Sequence, residues 1–471
     1  MRMGKKLREP NPEDELGKHS HIIRISDCDI NQNRLASMKR RTLESPRLLN
    51  NSSGRSSCSI FRVPQRFIEM NGRVYEPNVV SIGPYHRGKP HLRMIEEHKW
   101  RFLGSLLSRT QSKGLTLEDY VRDAKRLEPK ARECYSETIS LDSDEFAEMV
   151  VLDSCFIIEI CRIVGKLVPA DPDDPILSTF WLFTFLLRDF LRFENQLPFF
   201  VLQSLFDLSK MPEEEEEYKT GGGHSPSLAM LALLFFNHAT LDRPHEVIER
   251  FRNYQPKHLL DLLRSTYTEL AQEEPRKGKP TTHVIETVTK LRLAGISFKE
   301  RKSSDNFLDV NFRNGVLEMP AITIDDFTSS FFANCVAFEQ CHKHCSNQIT
   351  SYATLLDCLI NTYKDVEFLC DAKIIENYFG TEGEVARFFN NLGKETAFDV
   401  EKSYLSNLFG EVNDYYRNGW HVQWASFKYT YFDTPWSFIS AVAAVILLVL
   451  TVIQTFYSAY PYVFEPKKQG N

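Results

Sequence analysis

Apolar side chains recur three or four positions apart through most of this chain, which is the period of a helix with one buried face. Leu92, Ile95, Phe102, Leu103, Leu106 and Leu107 mark a helix from about residue 92 to 109. Thr116, with Asp119 three places on, caps the start of the next, along which Tyr120, Ala124, Leu127 and Ala131 stack. A third runs from about 144 to 164. Residues 176–208 are strongly apolar, but Arg188, Asp189, Arg192, Glu194 and Pro198 divide them, so a pair of core helices is expected. Further helices are expected at about 227–236, 256–266, 282–293, 324–345, 351–360 and 381–392. The last has Thr381 and Glu384 as a capping box and Gly393 at its end. Residues 398–432 read as a long, interrupted helix with Tyr416, Trp420, Trp424, Phe427 and Tyr431 along one side, either a core face or a surface against a bilayer or partner.

The period changes to two at Leu308, Val310 and Phe312, followed by Asn314-Gly315 and then Leu317 and Met319. A two-residue turn at Asn314-Gly315 sets Phe312 opposite Leu317 and Val310 opposite Met319, with all four on one face. Ile296 and Phe298 are candidates for a third strand. The chain is thus mainly α, one large helical domain with a small antiparallel hairpin or three-stranded sheet.

One stretch has no polar face at all. From Pro435 to Phe464 there is no Asp, Glu, Lys or Arg. Trp436 to Tyr457 as a helix measures about 33 Å, enough to cross a hydrocarbon core of ~30 Å. Trp436 at one end and Tyr457, Tyr460 and Tyr462 at the other suit the headgroup region, and Pro435 and Pro461 bracket the span. The expected partition is a disordered polar leader (1–58), a helical domain (59–397), an aromatic-rich membrane-proximal helix (398–434), a transmembrane helix (435–460) and a short tail (461–471).

Charge sharpens this division. The net charge is −6, but residues 1–58 carry +5 and the remainder −11, too acidic for a nucleic-acid binder. The basic start, Met1 to Pro10, is followed by no apolar run of signal-peptide length, position 2 is Arg, and the chain ends on Gln469-Gly-Asn471, so the apolar helix is the only expected address. Cys155, Cys161, Cys358 and Cys370 fall among apolar residues as packed reduced thiols, and the sequons are confined to Asn50 and Asn51. Both observations lean towards a cytosolic body at the plasma membrane or an endomembrane. The opposite orientation stays open, since Lys428 before the span and Lys467 and Lys468 after it barely differ.

No phosphate loop, dinucleotide fingerprint, zinc-protease helix, calcium loop or nucleophile elbow is present. Cys341-His-Lys-His-Cys345 is the densest set of ligand-type residues, but on a helix His342 and His344 point 200° apart, so no metal and no cofactor are expected. Asp171-Pro-Asp-Asp-Pro175 lacks calcium-loop alternation and reads as a connector, and Glu213 to Glu217 with the following glycines as a solvated loop. His86 is expected to fix a turn by bonding to backbone.

Several segments together resemble one family, the plant membrane proteins grouped as domain of unknown function 247 or uncharacterised protein family 0481. They include Tyr75-Glu-Pro77, Val80-Ser-Ile-Gly-Pro-Tyr-His86, Glu97-His-Lys-Trp100, Ala131-Arg-Glu-Cys-Tyr135, Asp189 with Phe193-Glu-Asn-Gln-Leu-Pro-Phe-Phe200, His258-Leu-Leu-Asp261, Asn314-Gly-Val-Leu317 and Ala337-Phe-Glu-Gln340. They occur in order from Ser59 onward. The resemblance implies no catalytic residues; it marks Ser81, Gly83, Pro84, Tyr85, His86, Glu194, Gln196, Pro198, Glu339 and Gln340 as motif positions without assigned roles. Some members in grasses are linked to self-incompatibility, which implies recognition of a protein partner. The function expected is therefore a membrane-anchored recognition or signalling component acting on the bilayer and an unidentified protein, not an enzyme. The alternative is a membrane-anchored hydrolase or transferase that uses His86 with an acidic residue from Phe193-Glu-Asn-Gln196.

Overall fold

A computed structural model describes residues 31–212, 214, 226–239, 242–269, 283–394, 396–418 and 435–464. Residues 31–46 belong to a unit separate from the rest, and within it Gln32–Leu43 is helix α1. The polar leader is therefore not structureless among its described residues. Asn31 caps α1 by accepting the Arg34 N–H, and Leu35, Ala36, Met38, Arg40 and Arg41 are good helix formers. Residues 47–58 differ again from expectation, since they are bonded into the main body. Asn50 N donates to Ser136 O at 2.7 Å and Thr138 N to Arg47 O at 2.8 Å.

The first half of the body contains α2 (Gln65–Asn71), α3 (Arg93–Thr110), α4 (Leu117–Arg132), α5 (Ser143–Val164), α6 (Phe180–Asp189), α7 (Phe199–Ser209), α8 (Leu228–Phe236), α9 (His245–Arg250) and α10 (Leu259–Thr268). The capping box of Thr116 and Asp119 opens α4, and the apolar stretch 176–208 forms the expected pair, α6 and α7. Helix α5 is the axis, covered by α3, α4, α7 and α8. Every residue from Met149 to Arg162 is consequently buried, and each large apolar side chain there stabilises the fold by roughly 1.5–3 kcal/mol. Its charged residues are paired: Arg109 forks onto Glu159 at 2.6 and 2.7 Å, and Arg162 Nε lies 3.3 Å from Glu214. Glu214 belongs to the acidic run expected in solvent, yet it is buried, because two arginines draw its carboxylate inward.

The second half holds α11 (Val288–Leu293), β1 (Ser297–Glu300), β2 (Asn311–Arg313), β3 (Val316–Met319), β4 (Ile322–Ile324), α12 (Asp326–Cys341), α13 (Gln348–Leu359), α14 (Tyr363–Asp371), β5 (Ile375–Asn377), α15 (Glu382–Gly393) and α16 (Ser406–Arg417). The hairpin has the expected register, Phe312 opposite Leu317, with positive φ at both Asn314 and Gly315. Val310, Phe312, Leu317 and Met319 are all buried. The third strand, β1, pairs with β3 in parallel, Phe298 opposite Leu317. A second, two-stranded parallel sheet of β4 and β5 takes Ile324, where the helix was expected to begin, and the helix starts at Asp326 after its Asp325 cap.

Some boundaries move for local reasons. Helix α11 starts only at Val288 because Thr287 caps it on Lys290 N, and α10 starts at Leu259 because His258 Nδ1 accepts the Asp261 N–H. Helix α12 ends at Cys341, so Cys341 and Cys345 do not share a helical face. Helix α15 reaches back to α2, which closes the two halves on each other.

The last element, α17 (Pro435–Phe464), passes through Pro461 instead of stopping there, so the first four residues of the expected tail are helical. Its segment Val442–Tyr460 is long and apolar enough to cross a membrane, and none of it is buried. Trp436, Tyr457 and Tyr460 are exposed; the side chain of Tyr462 lies outside the described residues. Of the aromatic stripe, only Tyr416 is described, packed on the core at the end of α16; Trp420, Trp424, Phe427 and Tyr431 lie outside.

Candidate functional site

Residues 76–89 run without helix or strand, so their buried backbone N–H groups need partners from elsewhere. Polar side chains from α5, the end of α6 and the loop after it provide them. Asp189 accepts from Asn78, Val79 and Val80 N at 2.9, 2.8 and 3.1 Å. Asn195 Oδ1 accepts from Ile82 N at 2.7 Å, while its Nδ2 donates to Val80 O at 3.1 Å. Asp153 accepts from Gly83 N at 2.8 Å and pairs with Lys99 Nζ at 2.5 Å.

Glu194 closes the other side of the cluster. Its Oε1 accepts the Val63 N–H at 2.6 Å, and its Oε2 lies 3.1 Å from both Arg62 Nη1 and His86 Nε2. Burial raises the affinity of this carboxyl for a proton, but the contacts with His86, Val63 and Arg62 outweigh it and hold the pKa below the usual range. The His86 ring therefore meets a carboxylate, not the backbone. Asp189 shows the opposite balance: its near-complete burial pushes its pKa up despite Arg192 and the three N–H donors.

The remaining motif positions fasten the same cluster. Gly83 has φ +73, and a Cβ there would stand 2.6 Å from Gln196 O. Gln196 donates to Phe190 O and Arg192 O and accepts from Leu260 N, which fixes the loop against α10; Pro198 then caps α7. Tyr135 donates to Gln196 O at 3.0 Å and meets Tyr85 edge to face at 5.5 Å, with the Arg62 guanidinium over the Tyr85 ring. Ser81 gives its carbonyl to Lys99, and Pro84 follows in the same buried turn.

Glu339 and Gln340 serve a different junction. Glu339 accepts from Arg264 Nε at 2.8 Å and from Ile349 and Thr350 N at 3.2 and 2.7 Å, capping α13. Gln340 exchanges two bonds with the Ala397 backbone. The sequence reading gave no role to Lys99, which it met only inside the segment Glu97-His-Lys-Trp100, and missed Asp153 and Arg264. A signal existed for the first two, since Lys99 interrupts the apolar face of Ile95, Phe102 and Leu106, and Asp153 interrupts Val151 to Ile158.

Chemically, His86 and Glu194 have the separation that an acid–base pair needs. Both are buried, at 2% and 5% exposure, and backbone and guanidinium groups already occupy Glu194. The thiols are likewise packed; burial pushes Cys58 up to about 11 and Cys134 and Cys341 up to about 12. Among the described residues every cysteine is free.

The fold and this cluster define a mainly helical body, fastened by buried polar side chains and followed by one long apolar helix. The chain belongs to the DUF247 family, described as plant protein of unknown function, whose family model matches residues 60–450. Among its relatives, UPF0481 protein At3g47200 of Arabidopsis thaliana is 38% identical over 448 residues, covering 90% of this chain and 91% of that protein. Putative UPF0481 protein At3g02645 of the same plant is 24% identical over 489 residues, covering 85% and 90%. No solved structure matches the chain.

Proposed function

We propose that this protein is a membrane-anchored recognition component: α17 holds it in a bilayer, and its helical body engages a protein partner without carrying out a reaction. The observation that carries the anchor is α17 itself. Its 30 residues span about 45 Å as a helix, and Leu447, Leu448, Leu450, Val452 and Ile453 are among its exposed side chains. In water that surface would be strongly unfavourable, and lipid removes the penalty. A non-catalytic reading is supported by the burial of the His86–Glu194 pair, whose carboxylate is already taken up by the Val63 N–H and Arg62.

Alkaline extraction of membranes containing the full chain tests the anchor. The protein is expected in the pellet, and Leu447→Lys with Leu450→Lys is expected to release it; a wild-type chain that washes off would overturn the reading. Protease treatment of intact vesicles, with a tag at residue 1, tests the side. Digestion of the tag is expected for a cytosolic body, and protection would reverse the orientation. Purification through this chain and, reciprocally, through the recovered protein tests recognition, which fails if the chain repeatedly comes down alone.

The hydrolase or transferase reading keeps one observation in its favour, the 3.1 Å approach of His86 to Glu194. Turnover of an ester or acyl substrate that disappears in His86→Gln, while the fold is retained, would establish it.

A further inference from the structure

The body has an open cleft beside the Arg264–Glu339 junction. It measures about 520 Å³, within the range of small-molecule sites. One wall is Tyr254 and Lys257 with the Asp261, Arg264 and Thr268 side of α10; the other is the turn into α13, ending at Gln348.

Its walls are rigidly set. Arg264 is held by Glu339 and by both oxygens of Ser346, and Asp261 Oδ2 accepts the Lys257 N–H at 2.9 Å. Tyr254 is fixed by its hydroxyl bond to Ser265 at 3.0 Å. Three groups are left without such engagement. Gln348 is only 7% exposed, yet its buried Oε1 has no hydrogen-bond partner among the described residues. The Lys257 ammonium has no carboxylate within 4.0 Å among those residues. Asp261 Oδ1 has only a long 3.7 Å approach from Arg264.

We infer that this cleft binds a neutral polyhydroxylated ligand of sugar size. Arg264 is already neutralised by Glu339, which leaves Lys257 balanced in the lining by Asp261 and Glu269. A lining with that balance gives a phosphate or carboxylate no advantage. The unengaged groups are a mixture of donors and acceptors at fixed positions. A hydroxyl both donates and accepts, so a ligand carrying several can satisfy Gln348, Lys257 and Asp261 together. Tyr254 adds an aromatic wall for the apolar face of a sugar ring. No residue of α17 is among those lining the cleft.

Titration calorimetry of the full chain in a detergent without a sugar headgroup tests this, with xylose, galactose and sucrose against inorganic phosphate, citrate and spermidine. Saturable binding of at least one sugar is expected, weakened about tenfold or more in Gln348→Leu and in Lys257→Met. The melting temperature of each variant is measured alongside, and Lys257→Met, at a half-buried position, keeps the test usable if Gln348→Leu does not fold. Binding of only the charged probes, binding of none at about 50 mM, or unchanged sugar binding in both folded variants overturns the inference.

Discussion

Gly83 and Gln196 touch backbone to backbone: a Cβ on Gly83 would lie 2.6 Å from the Gln196 carbonyl oxygen and 3.2 Å from the Tyr135 hydroxyl. The residue also has φ +73, so two independent restrictions meet there. Gly83→Ala is expected to destabilise the body by about 2–4 kcal/mol, from left-handed strain plus overpacking against a carbonyl that cannot move aside. Gly88→Ala is the control. It has φ +83 but open space around it, so only the conformational cost of about 1–2 kcal/mol should appear. Thermal melts of both variants in detergent, followed by tryptophan fluorescence, measure the difference; equal losses would dismiss the contact with Gln196.

Glu194 should make stability depend on acid. Its folded pKa lies below the ordinary value, so the folded state binds this proton more weakly than the unfolded chain. The contribution is therefore present above the ordinary carboxylate range and lost as pH falls through the folded value. Glu194→Gln should be clearly less stable than wild type at pH 7, and the gap should narrow below about pH 4. A gap that stays constant with pH would place the effect in shape, not charge.

Glu339 holds a buried guanidinium and two helix N–H groups at once. Glu339→Ala would leave Arg264 with Asp261 at 3.7 Å as its nearest carboxylate contact, at a cost of about 3–5 kcal/mol. Arg264→Met combined with Glu339→Leu should recover part of that loss, because no uncompensated charge remains inside. A double variant as unstable as the single one would show that the cap on α13, and not the charge, dominates.

Asp357 runs the other way. Burial raises its pKa to about 6 where it packs against Gly393 at the end of α15. The folded chain keeps this proton longer than the unfolded one, so the site contributes most below about pH 4, and the contribution disappears as pH rises through 6. Asp357→Asn should raise stability at pH 7.5, by no more than about 1 kcal/mol because the residue is only partly buried and solvent screens it. Urea midpoints at pH 3.5 and 7.5 decide it: a gain at the lower pH would refute the assignment.

What the sequence revealed was local. Thr116 with Asp119, Thr381 with Glu384, and Asn314-Gly315 each act within four residues, and each element they punctuate is present. The β4–β5 sheet escaped because three-residue strands carry no usable period and Ile322 finds its partner Ile375 far downstream. Helix α14 was hidden although Thr362 and Asp365 form a capping box, since it is short and buries only Val366 and Leu369 among its apolar side chains. The motif cluster was visible as a set of positions but not as a set of roles. Glu194 reaches Val63 across 131 positions and Asp189 reaches Asn78 across 111, which spacing cannot disclose.

The same long reach bears on how the protein is made. Asn334 donates to Val74 O across 260 positions, and Asn391 to Met70 O across 321. At roughly 5–20 residues per second, a ribosome takes about 15–60 s to supply the second partner. Phe67, the buried residue of α2, leaves the exit tunnel long before α15 exists to pack on that helix. The nascent chain is accordingly expected to travel with a chaperone until its final third is translated, and α17 follows only after that.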